Sequence, residues 1–136
     1  MGVKTLTGSC LCGGVRYTVT GEVTRMYHCH CTRCRKATGT GHATNMFVDG
    51  RLVFDSGEGL IASFKVPSAK RFTNVFCTTC GARLPRGNPE TGKVMIPAGS
   101  LDVEPGFRPQ ARIFVGSKAE WSCDAEALPQ FAEYVE

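Results

Sequence analysis

The stretch Cys29-His30-Cys31-Thr32-Arg33-Cys34-Arg35-Lys36 places three thiols within six residues and surrounds the last of them with positive charge. Two further groups stand on either side of it, Cys10-Leu11-Cys12 upstream and Cys77-Thr78-Thr79-Cys80 downstream. Seven of the eight cysteines therefore fall into three tight groups, and Cys123 stands alone. The cysteine share is about 6%, below the roughly 8–10% of a disulfide scaffold. In a reducing compartment such clustering points to metal ligands or redox chemistry.

The spacing of each group has a chemical reading. A Cys-x-x-Cys turn at 77 and 80, followed by Gly81, lets two thiolates converge on one ion while backbone N–H groups approach the sulfurs. Alternate residues of a strand share a face, so Cys10 and Cys12 are expected to project together, and Cys29 and Cys31 likewise. Structural zinc takes four ligands, and catalytic zinc commonly takes three plus an open position. Seven clustered cysteines divide as four plus three. The compact partition sets Cys10, Cys12, Cys77 and Cys80 around one ion and Cys29, Cys31 and Cys34 around a second. Disulfides are the alternative, disfavoured because cysteines two apart in a strand are poorly placed to bond each other. A single structural zinc accompanied by free thiols is the other.

Outward from these groups the chain is ordinary. Its 136 residues fit one domain, taken as 1–136, with 42% hydrophobic and 21% charged residues. No apolar run approaches the roughly 18–20 residues of a membrane span, and Met1–Leu6 lacks a signal-peptide core. A cytoplasmic protein is expected. The net charge of +4 favours a small anionic ligand. Positive residues such as Arg25, Arg51, Lys70, Arg71, Arg83 and Arg86 look scattered, without the basic stripe of a nucleic-acid binder.

Periodicity is mostly two. Val15, Tyr17 and Val19 alternate with polar residues, as in a half-buried strand. His42–Val48 and Arg51–Phe54 flank Asp49-Gly50, a dipeptide suited to a tight hairpin turn. Further strands are expected over Ile61–Val66, Lys70–Phe76, Lys93–Ala98 and Ala111–Val115. Helix is limited to a short turn over Thr32–Thr38 and another after Ala125, broken by Pro129. The chain reads as mainly β.

His28 and His30 alternate with the cysteines of the central group and should face away from them. His42 reads as a strand histidine. Arg33, Arg35 and Lys36 form either a solvated turn or a cationic collar that lowers thiol pKa values and attracts a carboxylate.

Several motifs carry a family resemblance. Gly8-Ser9-Cys10-Leu11-Cys12-Gly13-Gly14-Val15-Arg16-Tyr17, Cys29-His30-Cys31-Thr32-Arg33-Cys34-Arg35-Lys36 and Phe76-Cys77-Thr78-Thr79-Cys80-Gly81 resemble the three motifs of glutathione-dependent formaldehyde-activating enzymes and their centromere-protein-V-like relatives. Ile113–Trp121 and Leu128–Phe131 are also similar. The resemblance implies a zinc-anchored β-tent of short antiparallel sheets with little helix. It implies a carbon–sulfur lyase of the S-(hydroxymethyl)glutathione synthase type, joining glutathione and formaldehyde. It implies two zinc ions per chain: a structural one on Cys10, Cys12, Cys77 and Cys80, and a catalytic, labile one on Cys29, Cys31 and Cys34. The partner is then a small thiol such as glutathione, with no membrane or nucleic acid. The alternatives are a zinc-stabilised module that binds protein or nucleic acid, and a thiol reductase using Cys123.

Overall fold

The computed structural model describes residues 2–122 and 128–135. Two strands of 14 residues, β2 (Arg16–Cys29) and β3 (Ala43–Ser56), pair antiparallel along their whole length and form the spine. β1 (Lys4–Ser9) covers the outer edge of the first half of β2. On the other side β3 pairs with β7 (Lys93–Pro97), which in turn carries β6 (Arg86–Asn88). β8 (Ala111–Ile113) lies parallel to Tyr27–Cys29 at the end of β2. A separate two-stranded antiparallel sheet joins β4 (Ile61–Lys65) to β5 (Thr73–Cys77). The one α-helix among the described residues, α1, spans Thr32–Thr38 as expected. No described helix is long and apolar enough to cross a membrane.

The period-two reading of β2 holds from Tyr17 to Val23, where odd-numbered residues are buried. Val19 and Val23 pack with Leu6, Met46, Val48, Val94 and Ile96 in the main core. Then the phase changes. Val23 pairs with Val48 and Arg25 with Phe47, so Thr24 is an extra residue, a β-bulge. Beyond it Met26 enters the core instead.

The spine departs from the sequence reading at Asp49-Gly50. No hairpin turn forms there, and β3 runs straight through. A type I′ turn needs positive φ at both central positions, and Gly50 is not among the glycines with positive φ. Its missing side chain serves a close approach instead. Gly21 and Gly50 pair across the ladder, and a Cβ on Gly50 would strike the Thr20 carbonyl. The hairpin-like dipeptide thus marks the tightest contact of two long strands.

The remaining strands appear near their expected positions, while β1 and β6 are additions. Of the expected C-terminal helix, 125–127 lie outside the described residues and 128–135 form none. Cys123 also lies outside them.

Candidate metal centres and cleft

Cys10 and Cys12 do not lie on a strand. β1 ends at Ser9, and the chain turns through Cys10-Leu11-Cys12 before β2 begins. The turn is closed by Gly13 N–H donating to the Cys10 carbonyl and by Cys10 N–H donating to the Val15 carbonyl, both at 3.0 Å. A turn gathers two side chains as well as a strand does, and it frees N–H groups. Val15 N–H donates to Cys10 Sγ at 3.2 Å, and Gly14 N–H to Cys12 Sγ at 3.4 Å.

Cys77 closes β5, and Gly81 turns the chain back with φ of 77° while its N–H donates to the Cys77 carbonyl. That conformation is open to glycine at no steric cost. The result is the knuckle expected from the Cys-x-x-Cys spacing. The four sulfurs of Cys10, Cys12, Cys77 and Cys80 all lie within 4.8 Å of one another. Cys10 to Cys12 is 3.5 Å, and Cys12 to Cys77 is 3.9 Å. Zinc–sulfur bonds of about 2.3 Å in a tetrahedron require sulfur separations of about 3.8 Å. The donor set fits that ion.

Electrostatics agree. Backbone N–H groups of Ala82 and Cys12 bring the Cys80 thiol down to about 6. Cys12 is relieved by Gly14 N–H, yet the sulfurs of Cys10, Cys80 and Cys77 hold it up at about 11. Thiolates this close repel, and a bound cation removes the repulsion.

In the second group, only Cys29 belongs to a strand. Cys31 is the N-cap of α1, with its sulfur accepting from Cys34 N–H at 3.3 Å, and Cys34 lies in the first turn. Their three sulfurs also lie within 4.8 Å of one another. No fourth metal-ligating side chain joins them among the described residues. Burial pushes the Cys29 thiol up and the Cys34 thiol far up, whereas the Cys34 N–H and neighbouring sulfurs outweigh burial and bring Cys31 down.

The bulge at Thr24 decides where Cys29 points. Without it Cys29 would share the core face with Tyr17 and Val19; with it, Cys29 faces the opposite side. That side is the floor of a cleft of about 540 Å³, shared with Asn45 and Phe47 of β3 and Met95 of β7. The volume suits a small-molecule site. Cys31, Cys34 and the segment Arg71-Phe72-Thr73 leading into β5 complete much of the wall. Phe114 stands at its edge, largely exposed, and is the one non-glycine residue with positive φ among those described, at 57°. A bulky side chain seldom adopts that backbone, and such strain clusters at functional sites.

The cleft is cationic. Arg33, Arg71, Arg83 and Arg86 line it, and no Asp or Glu does. Three of these arginines looked scattered in the sequence. The fold brings them together because Arg71 leads into β5 while Arg83 and Arg86 follow the knuckle. The only sequence signal was that positive residues bracket the third cysteine group. Burial and the nearby Arg71 lower the Arg86 pKa. Arg35 and Lys36, in contrast, do not line the cleft, and Arg35 donates to the Ser117 carbonyl at 3.1 Å.

The histidines gather elsewhere. The His28 and His42 rings meet at a tilt of 47° with 4.2 Å between centroids, and those of His30 and His42 at 60° with 5.2 Å. His28 Nδ1 bonds Thr44 Oγ1 at 2.9 Å. Burial, then the neighbouring His42, lowers the pKa of both His28 and His30. None of the three joins a cysteine group or lines the cleft.

Comparison with known proteins places this geometry. A crystal structure of a Rhodobacter sphaeroides protein superimposes with a TM-score of 0.54 at 21% identity, over 76% of this chain and 97% of that one. At that identity the likeness speaks for the fold. No curated protein matches. Residues 5–117, which include both cysteine groups and the whole cleft lining, match the family described as glutathione-dependent formaldehyde-activating enzyme. The chain belongs to the glutathione-dependent formaldehyde-activating family.

Proposed function

We propose that the protein is a zinc-dependent carbon–sulfur lyase acting on adducts of a small thiol, such as glutathione, with an aldehyde such as formaldehyde. In this reading residues 1–136 form one domain that works in the cytoplasm, and the two sheets make the tent of the family. Cys10, Cys12, Cys77 and Cys80 hold a structural zinc. Cys29, Cys31 and Cys34 hold a second, more labile one. The observation that carries the reading is the contrast between these groups. Four gathered sulfurs would supply the full ligand set of a structural zinc, whereas three would leave a position open, and those three line a cationic cleft.

Zinc on the triplet supplies a place where a thiol is held as its thiolate. The protein does the rest. Arg33, Arg71 and Arg86 draw an anionic thiol into the cleft and favour its ionised form. Phe47, Phe72 and Ile113 exclude water from the reacting groups. In the synthetic direction the sulfur–carbon bond forms as the thiol adds to the aldehyde, and the thiol proton ends on the former carbonyl oxygen. The reverse breaks that bond and returns both reactants.

The experiment is adduct formation from glutathione and formaldehyde, followed by NMR with zinc-replete protein. Acceleration above the spontaneous reaction, lost in Cys34→Ser, supports the proposal. No acceleration with formaldehyde or other small aldehydes would overturn it.

A further inference from the structure

Cys29 has apolar company on its own face of the sheet. It pairs with Ala43 across the β2–β3 ladder and with Ile113 across the parallel β2–β8 ladder, and residues directly opposite each other share a face. Ile113 and Phe72 pack against the buried cluster of Cys29, Cys34 and Ala43, and both line the cleft. Phe114 continues that lining to the edge, where its ring is largely exposed. Arg86, suited to the charge of a thiol ligand, stands on β6, with β7, β3 and β2 between it and β8. The apolar wall thus lies beside the sulfurs, at the other end of the floor from Arg86.

The chain holds Phe114 at that edge against its backbone preference. Its φ of 57° is rare for an aromatic residue, and hydrogen bonds on both sides keep it there. His30 N–H, between the first two thiols, donates to the Ile113 carbonyl at 2.9 Å. Ser117 N–H donates to the Phe114 carbonyl at 3.0 Å, and the Ser117 carbonyl accepts from Arg35, the residue after Cys34. The loop that carries the ring is therefore tied to both ends of the thiol triplet. Strain maintained in this way clusters at ligand sites, and an apolar ring left in water gains by covering an apolar group.

We propose that the aldehyde used in this cleft carries an apolar substituent, alkyl or aryl, which lies along Phe72 and Ile113 and is covered by Phe114. The inference rests on the reading of the cleft as a site of thiol–aldehyde addition and names the aldehyde class. In that step the sulfur–carbon bond forms, the carbonyl π bond opens and the thiol proton passes to the oxygen. The substituent stays on the carbonyl carbon and takes no part in the bond changes. Formaldehyde has no such group and leaves the apolar wall uncovered. One methylene in a hydrophobic pocket discriminates by roughly 10–200-fold, so the selection should be large.

The test follows hemithioacetal formation by NMR with zinc-replete protein and glutathione at one fixed concentration. Formaldehyde, butanal and phenylacetaldehyde are compared, each rate divided by its spontaneous rate without protein. Wild-type protein should accelerate butanal and phenylacetaldehyde at least tenfold more than formaldehyde. Phe114→Gly removes the ring and frees the backbone, since glycine enters the left-handed region without strain. It should keep its zinc and a Tm no lower than wild type, and narrow the gap to less than threefold. Phe114→Tyr, which retains the ring, should keep the gap. A gap that survives whole in Phe114→Gly would overturn the role given to that ring. If wild-type protein accelerates formaldehyde as much as the other two, the inference is refuted while the lyase reading stands. If it accelerates none of them, both fall. The wild-type comparison decides even where a variant fails to fold.

Discussion

The sulfurs of Cys12 and Cys77 lie 3.9 Å apart across 65 positions of chain. Cys12 follows the edge strand of the large sheet and Cys77 ends a strand of the small one, so the contact ties the two sheets together. Structural zinc sites contribute an apparent ~10–16 kcal/mol coupled to folding, against a net domain stability of about 5–15 kcal/mol. Cys77→Ser is therefore expected to give unfolded or aggregated protein. Cys34→Ser should stay folded with one zinc fewer, because the triplet closes only a six-residue loop. Zinc content and thermal unfolding of the two variants check this, and the opposite pattern would reverse the two site assignments.

Ligand affinity should follow the arginines of the cleft and ignore the basic turn of α1. Arg71→Gln with Arg86→Gln is expected to weaken an anionic thiol by about tenfold at low salt, or about 1.4 kcal/mol. The loss should shrink towards 1 M salt, where the screening length falls to about 3 Å. Neutralising Arg35 and Lys36 should change affinity by less than about twofold. Titrations at two ionic strengths separate the cases; an equal loss from both pairs would mean that long-range charge alone steers the ligand.

Alkaline pH should destabilise the fold through Tyr17. Its buried hydroxyl bonds Ser100 Oγ at 2.6 Å, and burial raises its pKa from 10.0 to about 12. Between those values the native state keeps a proton that the unfolded chain has released. Stability is thus intact below pH 10 and falls as pH rises through 12, by about 3 kcal/mol in all. Tyr17→Phe should remove this slope while costing about 1 kcal/mol at neutral pH for the lost bond. Urea unfolding from pH 8 to 11.5 measures both, and an unchanged slope in the variant would clear Tyr17 of responsibility.

Gly50→Ala should be costly for so small a change. The new methyl would meet the Thr20 carbonyl and the Gly21 backbone, neither of which can rotate away. A loss of about 2–4 kcal/mol is expected, seen as a Tm lower by roughly 8 °C or more. A smaller shift would show that β2 and β3 can separate locally without disrupting the ladder.

Much of this molecule was legible where the signal is local. The alternation of Val15, Tyr17 and Val19, the helix over Thr32–Thr38 and the Cys-x-x-Cys-Gly turn each depend on neighbours in sequence, and each appears as expected. The grouping of sulfurs could be read by counting because zinc fixes the number of ligands. The Asp49-Gly50 reading failed because a local turn preference met a long-range contact, the approach of Gly21. The cleft was missed for a related reason. Arg71, Arg83, Arg86 and Asn45 become neighbours only when the small sheet is pinned against the large one, and nothing in their own surroundings announces it. Arg35 and Lys36 misled in the opposite sense: they are close to the cysteines in sequence, but they do not line the cleft.

The single surplus residue at Thr24 makes the chemistry of this chain a matter of parity. Substitutions along the second half of β2 alter one side chain at a time. Pairing every residue of this stretch in turn, with no bulge, would instead exchange the two faces of everything that follows in the strand, sending Cys29 into the oily interior and Met26 out to the cleft. Pairing, more than identity, is what this segment must preserve. Related chains that keep the thiol triplet should therefore tolerate varied residues at position 24, and even its loss, which leaves Val23 opposite Val48 and Arg25 opposite Phe47.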